Sequence, residues 1–170
     1  MAKHLSVTPE DEVLDIGTGS GVLAITAGQS ARKVVAVDIN PHAVRCAKLN
    51  IATNGMTDKI AVLQGDLFSS LDPKSKFDII LFSPPYLEGQ PKSLIDQALF
   101  DPGKSLVRRF LQEAGLYLNA KGYIQMVYST IADSERALQI ASELGWTCRV
   151  IAQDKRLLET LYIWRLTRMH

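Results

Sequence analysis

The sequence predicts an α/β fold: a seven-stranded, mainly parallel sheet with an antiparallel C-terminal hairpin and helices on both faces. Three observations carry this expectation. Short apolar runs alternate with stretches of helical period from about residue 12 to residue 145. Two of the helical stretches open on the pairs Asn40-Pro41 and Asp101-Pro102, an N-cap followed by a proline at the first helical position. The last two apolar runs are joined by only a short polar stretch, whereas parallel neighbours need a crossover of a dozen or more residues.

Strands are read at residues 12–16, 33–38, 59–64, 77–82, 121–128, 146–152 and 159–167. A helical pattern follows the glycines at 17, 19 and 21. A helix over 41–53 carries Ala43, Val44, Ala47 and Ile51 on one face and stops at Gly55. Leu106, Val107, Phe110, Leu111, Ala114 and Leu118 recur at the 3.6-residue period and predict a helix over 103–118. Asp133 and Gly145 bracket a further helix. Gln153-Asp154-Lys155-Arg156 is read as the turn of the final hairpin. The long connection over 84–101 is more often functional than filler.

At 170 residues the chain is expected to form one domain over 1–170. Hydrophobic residues are 46% and charged residues 22%, and the mean hydropathy is +0.04, which disfavours disorder and fibrous folds. A chain of this size buries roughly 70% of its unfolded surface and needs no disulfide or metal staple. With 19 Lys and Arg against 18 Asp and Glu, it lacks the excess of a protein that binds nucleic acid through its whole surface. No apolar run approaches the ~20 residues that cross a bilayer, and no leader precedes the first strand, so a cytoplasmic protein without membrane contact is expected. Cys46 and Cys148 show no C-x-x-C spacing; both are expected to be reduced, buried thiols, and no metal site is indicated.

The segment Val13-Leu14-Asp15-Ile16-Gly17-Thr18-Gly19-Ser20-Gly21 runs a buried strand into three glycines at alternate positions. The backbone must turn tightly there and admit a ligand that meets no Cβ. The spacing is G-x-G-x-G, with no lysine after it, so it matches neither the dinucleotide fingerprint nor the P-loop. Asp15 at the strand end favours a ligand with an ammonium or sulfonium group over an anion. Asp38 ends the second strand about 20 residues after Gly17, where a carboxylate accepts hydrogen bonds from ribose hydroxyls. Asp66 ends the third, placed to meet the exocyclic amine of an adenine ring. Strand ends of an open α/β sheet face one crevice, so Asp15, Asp38 and Asp66 are expected to converge.

These residues, Val13 to Gly21, Val37-Asp38 and Gly65-Asp66, resemble the nucleotide-binding motifs of class I S-adenosylmethionine-dependent methyltransferases, over about residues 12–168. The resemblance implies a Rossmann-like sheet that ends in a reversed hairpin, with S-adenosyl-L-methionine as cofactor. It also implies that Gly17, Gly19 and Gly21 pass under the methionine part, that Asp38 holds the ribose and Asp66 the adenine. Asp15, Thr18, Ile39 and Leu67 complete the cofactor-binding set.

The fourth strand runs directly into Ser83-Pro84-Pro85-Tyr86. Two prolines fix φ and remove two N–H donors, which leaves a stiff corner rich in acceptors. It resembles the [Asn/Asp/Ser]-Pro-Pro-[Tyr/Phe] motif of amino-methyltransferases, which methylate a nitrogen attached to a planar carbon. Such a nitrogen is a poor nucleophile because its lone pair is delocalised. The Ser83 hydroxyl and the Pro84 carbonyl are the two acceptors that would bind its hydrogens and aim the lone pair, and Tyr86 would stack on the planar group. Ser83, Pro84, Pro85 and Tyr86 are therefore the candidate catalytic residues. None of His4, His42 and His170 lies at a catalytic strand end, and no general base is required beforehand.

The order of motifs is most similar to the HemK-related glutamine-amide methyltransferases that act on translation release factors, in a short form like their archaeal relatives. That resemblance implies a protein substrate, possible help from a small zinc-binding activator subunit, and methylation of a glutamine side-chain amide. The alternative is an RNA or DNA base amino-methyltransferase acting on adenine N6, guanine N2 or cytosine N4; Lys92, Lys104, Arg108 and Arg109 would supply a local basic entrance. A further alternative is a scaffold that keeps the fold without catalysis. Ser83 stands where the family usually has Asn. Only eleven residues precede Glu12, where relatives carry an aromatic-Pro-x-acid-acid motif. A shortened chain, a more open pocket or a cover supplied by a partner is expected.

Overall fold

A computed structural model of the chain describes residues 1–85, 100–155 and 157–169. Seven strands form one sheet: β1 (Glu12–Ile16), β2 (Lys33–Asp38), β3 (Ile60–Gln64), β4 (Phe77–Phe82), β5 (Leu118–Ser129), β6 (Trp146–Lys155) and β7 (Thr160–Arg168). Their order is β3-β2-β1-β4-β5-β7-β6. The first five are parallel, and β7 runs antiparallel to both β5 and β6. The expected fold class is therefore the observed one. The chain builds outward from β1 through β2 to β3, then returns to add β4 on the other side, so the strand order reverses at β1. Ile16 and Phe82 are paired in register there, and the carboxyl ends of β1 and β4 open together. In such sheets this switch point is where ligands bind.

Strand pleating divides the core into two layers. On one face Val13, Val34, Ala36, Ile79 and Leu81 pack with α1 (Val22–Gly28) and α2 (Pro41–Thr53) through Ala24, Ala27, Ala47 and Ile51. On the other, Leu14, Ile16, Ile80 and Phe82 meet α3 (Ser105–Tyr117) and α4 (Ser134–Glu143) through Val107, Phe110, Leu111, Ala137 and Ile140. Alanines on the first face let helices close on the sheet; aromatic rings fill the second, where Phe82 and Phe110 stack with centroids 4.0 Å apart. The Trp146 indole N–H donates to the Leu111 carbonyl at 3.1 Å and so pays no penalty for burial.

Helix starts follow the local chemistry. Asn40 Oδ1 accepts from His42 N at 2.9 Å and Asp133 Oδ1 from Arg136 N at 3.0 Å, the N-cap bonds that satisfy otherwise orphaned donors. Asp101 departs from this pattern. Gly103 (φ 64°) and Lys104 (φ 58°) are left-handed, so a single 3-10 turn over Pro102–Lys104 precedes α3, which starts at Ser105 and not at 103. Buried Asp101 reaches across that turn and accepts from Leu106 N (2.8 Å), Val107 N (3.1 Å) and the Ser105 hydroxyl (3.1 Å).

Three further expectations are corrected. Leu118 ends no helix but pairs with Phe77 to begin β5, which is longer than residues 121–128. Gln153, Asp154 and Lys155 belong to β6, paired with Tyr162, Leu161 and Thr160, because an edge strand tolerates polar side chains on its open side. Cys46 is exposed, since it lies on the side of α2 away from Val44, Ala47 and Ile51; Cys148 is half-buried, and both are free thiols. Burial pushes the Cys148 thiol up to about 11, which makes it unreactive at neutral pH.

Candidate active site

The glycine-rich loop is fastened to the strand beside it. Gly17 N and Thr18 N both donate to the Val37 carbonyl, at 2.8 and 3.0 Å. Gly17, Gly19 and Gly21 all have positive φ, at 68°, 57° and 85°, but the absence of a side chain serves two purposes. A Cβ built on Gly17 or Gly19 meets nothing within 4 Å, so both face open space. One on Gly21 lies 3.3 Å from the Ala47 Cβ, so Gly21 allows α1 and α2 to approach.

The three strand-end carboxylates do not share one environment. Asp15 is 1% exposed and points away from the cleft into the loop, where its Oδ2 accepts from the Thr18 hydroxyl (2.7 Å) and Ala24 N (3.1 Å). Desolvation pushes its pKa up to about 7 in spite of those two bonds, and the charge of Asp38 adds to the rise. Asp38 is half-buried on the cleft wall: Oδ2 accepts from Gly19 N at 2.8 Å and Oδ1 from Asn40 N at 2.9 Å. Asp66 is more open, and its Oδ2 accepts from Arg109 Nη2 at 2.6 Å. Convergence therefore holds for Asp38 and Asp66, while Asp15 braces the loop from behind.

The cleft at the switch point holds a volume of about 210 Å³. Of the expected site residues it brings together Gly17, Gly19, Asp38, Ile39, Asp66, Leu67, Ser83 and Pro85. Thr18 and Gly21 support the loop without lining the cleft, and Pro84 is buried beside it. Ser83 is exposed at the rim. Tyr86 lies outside the described residues, as does Lys92.

Sequence reading missed part of the wall: Ile16, Asn40, Ala43, Phe82 and Leu106 also line it. Leu106 carried only a core-periodicity signal and Asn40 only a capping signal. Nothing local says that both elements end at the cleft. The basic entrance is corrected as well. Lys104 is 0% exposed, Arg108 pairs with Glu143 of α4 at 2.7 Å, and Arg109 pairs with Asp66 just beyond β3.

The residues present fit S-adenosylmethionine. Two glycines with open space above their α-carbons admit close backbone approach, Asp38 offers a carboxylate to hydroxyls, and Ile39, Leu67 and Leu106 give apolar surface for a flat ring.

Comparison with known proteins agrees with the geometry. The methyltransferase small domain family matches residues 1–158. The chain is 35% identical over 176 residues to a Methanocaldococcus jannaschii protein described as a protein N5-glutamine methyltransferase, covering 98% of this chain and 87% of that one. It is 35% identical over 143 residues to the release factor glutamine methyltransferase of Rhodopirellula baltica, covering 83% of this chain but only 45% of that one. Among solved structures, the E. cuniculi Mtq2–Trm112 complex, responsible for methylation of the eRF1 translation termination factor, superimposes with a TM-score of 0.71 at 22% identity, over 99% of this chain and 88% of that one. The chain thus belongs to the methyltransferase small domain family, as a class I S-adenosylmethionine-dependent methyltransferase of the HemK-related type.

Proposed function

We propose that this chain, acting as a single methyltransferase domain in the cytoplasm, methylates the side-chain amide nitrogen of a glutamine in a protein of the translation machinery. The observation that carries this reading is the presence of Ser83 and Pro85 in the same cleft as Gly17, Gly19 and Asp38. An acceptor corner and a cofactor cradle then share one space. The identity to glutamine methyltransferases over most of the chain favours the amide over a nucleic-acid base as acceptor.

Gly17, Gly19, Asp38, Ile39, Asp66 and Leu67 would hold S-adenosylmethionine. When bound, it supplies an electrophilic methyl group on a sulfonium. The protein's own part is to make an amide nitrogen attack. The Ser83 hydroxyl oxygen and the Pro84 carbonyl accept the two amide hydrogens and turn the nitrogen lone pair towards the cleft. Both bonds strengthen as positive charge grows on nitrogen, so they favour the transition state over the bound substrate. The proline rings hold these acceptors still, which avoids reorganisation during the reaction. Tyr86, which lies outside the described residues, would by the motif's resemblance stack on the planar amide. The proton is lost to solvent after transfer, when the nitrogen has become acidic, so no histidine is needed.

A small activator subunit is part of the proposal, because the E. cuniculi neighbour is a two-protein complex. Among the described residues no helix is long and apolar enough to cross a membrane.

The test is transfer of labelled methyl to a purified release factor, with and without the activator, beside tRNA, rRNA and DNA oligonucleotides. Label in the release factor that disappears when the target glutamine is changed to alanine is the expected result. Label in nucleic acid alone would replace the acceptor with a base amino group, and no cofactor binding by calorimetry would leave a scaffold.

A further inference from the structure

The Asp66 carboxylate sits on a turn whose backbone is well held: Asp66 N donates to the Ser69 hydroxyl at 3.0 Å, and Leu67 follows with φ 50°, left-handed for a non-glycine residue. The backbone does not hold the side chain, which is 43% exposed. Arg109 does, from 43 residues away in sequence. Its guanidinium donates to Oδ2 at 2.6 Å, while Oδ1 has no partner among the described residues.

The helix that carries Arg109 is fixed by the core, while the Arg109 side chain is 51% exposed. Val107, Phe110 and Leu111 of the same helix are buried against the sheet, and Leu106, three residues earlier on the same side of the helix, lines the cleft. The bond to Asp66 and the nearby charge of Glu113 raise the Arg109 pKa further above its ordinary value. The Arg109 guanidinium therefore stays charged.

We propose that Arg109 is a positioning residue that sets purine selectivity: by occupying Oδ2 it fixes the Asp66 rotamer and leaves Oδ1 turned to the cleft as an obligate acceptor for a 6-amino purine. This rests on the proposed placement of adenine at Asp66. A carboxylate locked to an arginine only accepts. It rewards an exocyclic amine and opposes an oxo group, whose oxygen would face it acceptor to acceptor, and sites built to bond one polar group reject the analogue that lacks it. Without Arg109 the half-exposed carboxylate would rotate into water and lose both the bond and the discrimination. The sequence-level reading of Arg109 as part of a nucleic-acid entrance gives way to a role inside the cofactor site.

The test compares binding, by calorimetry on the whole protein, of S-adenosylhomocysteine and of its 6-oxo analogue S-inosylhomocysteine. Wild type should prefer the 6-amino compound by about tenfold or more, the value of one charge-assisted hydrogen bond discounted for exposure. Arg109→Ala should cut that ratio to about twofold, through weaker binding of the 6-amino ligand. Arg109→Lys, which keeps the charge, should recover part of the ratio. Asp66→Asn should narrow it likewise, and the double variant R109A/D66N should lose no more than either single one, because the two residues act as a unit.

A role limited to docking α3 would lower the melting temperature of the R109A variant yet leave the ratio unchanged, and that result overturns the proposal. Additive losses in the double variant overturn it too. If wild type binds neither ligand, the placement of the cofactor itself is wrong, an outcome distinct from the failure of Arg109 alone.

Discussion

In the loop after β1, Gly17 N and Thr18 N are tied to Val37, Gly19 N to Asp38, and the Thr18 hydroxyl to a buried carboxylate. In the corner after β4, Ser83 is exposed and its hydroxyl makes no hydrogen bond to any described residue. The loop is preorganised by its own bonds, so ordering it costs little when a ligand arrives. The corner is held stiff by proline rings and keeps its acceptors unspent. The contrast is between a loop whose polar groups bond one another and a corner whose exposed hydroxyl bonds no described residue.

Five substitutions sharpen or break that contrast. The largest effect is expected at Asp38, which bonds the glycine loop and faces the cleft. Asp38→Ala should weaken cofactor binding by about 100-fold, near 3 kcal/mol, with a small change in melting temperature; this follows from losing charge-assisted bonds. A calorimetric Kd within threefold of wild type would show that the loop holds itself without Asp38. Next, Ser83→Ala should cut turnover about 10- to 100-fold, as loss of one transition-state hydrogen bond does, and leave the cofactor Kd within about twofold. Equal turnover would mean that the corner is only scaffolding.

The glycines divide the same way. Gly21→Ala should destabilise the fold by about 1–2 kcal/mol, because φ is 85° and the new Cβ meets Ala47 at 3.3 Å. Gly19→Ala has a similar φ but open space, so it should lose less stability and more cofactor affinity. Denaturant melts with and without S-adenosylhomocysteine separate the two.

The smallest effect is at Asp15. Its pKa of about 7 in the fold stands above its ordinary 3.8, so the folded state binds the extra proton between those values. Stability should fall as pH rises from about 4 through about 7 and level off above. Asp15→Asn keeps an acceptor for Thr18 and Ala24 and has no charge to bury. It should flatten the profile and raise the melting temperature at pH 8 by about 2–4 °C, roughly 1 kcal/mol. A profile unchanged by the substitution would assign the pH dependence to other groups.

Much of this molecule is legible locally. β1, β2, β4 and α2 begin and end where apolar period, Pro41 and Asn40 say they should, because burial on one face and satisfaction of backbone groups are decided within a few residues. The edges drift: α3 starts late because Gly103 and Lys104 turn left-handed, and β6, the edge strand among the described residues, runs on into polar residues that pair with Thr160 to Tyr162.

What the amino-acid order determined by itself is the alternation of elements, the three-glycine turn and the Ser-Pro-Pro corner, since each depends on φ, periodicity or hydrogen-bonding groups close in the chain. Only the tertiary structure decided that Asp15 turns into the loop, that Asp66 is held by Arg109, and that Ser83 shares a cleft with Gly19. A charged side chain chooses its partner by distance and desolvation in space, and neither quantity is carried by neighbours along the chain.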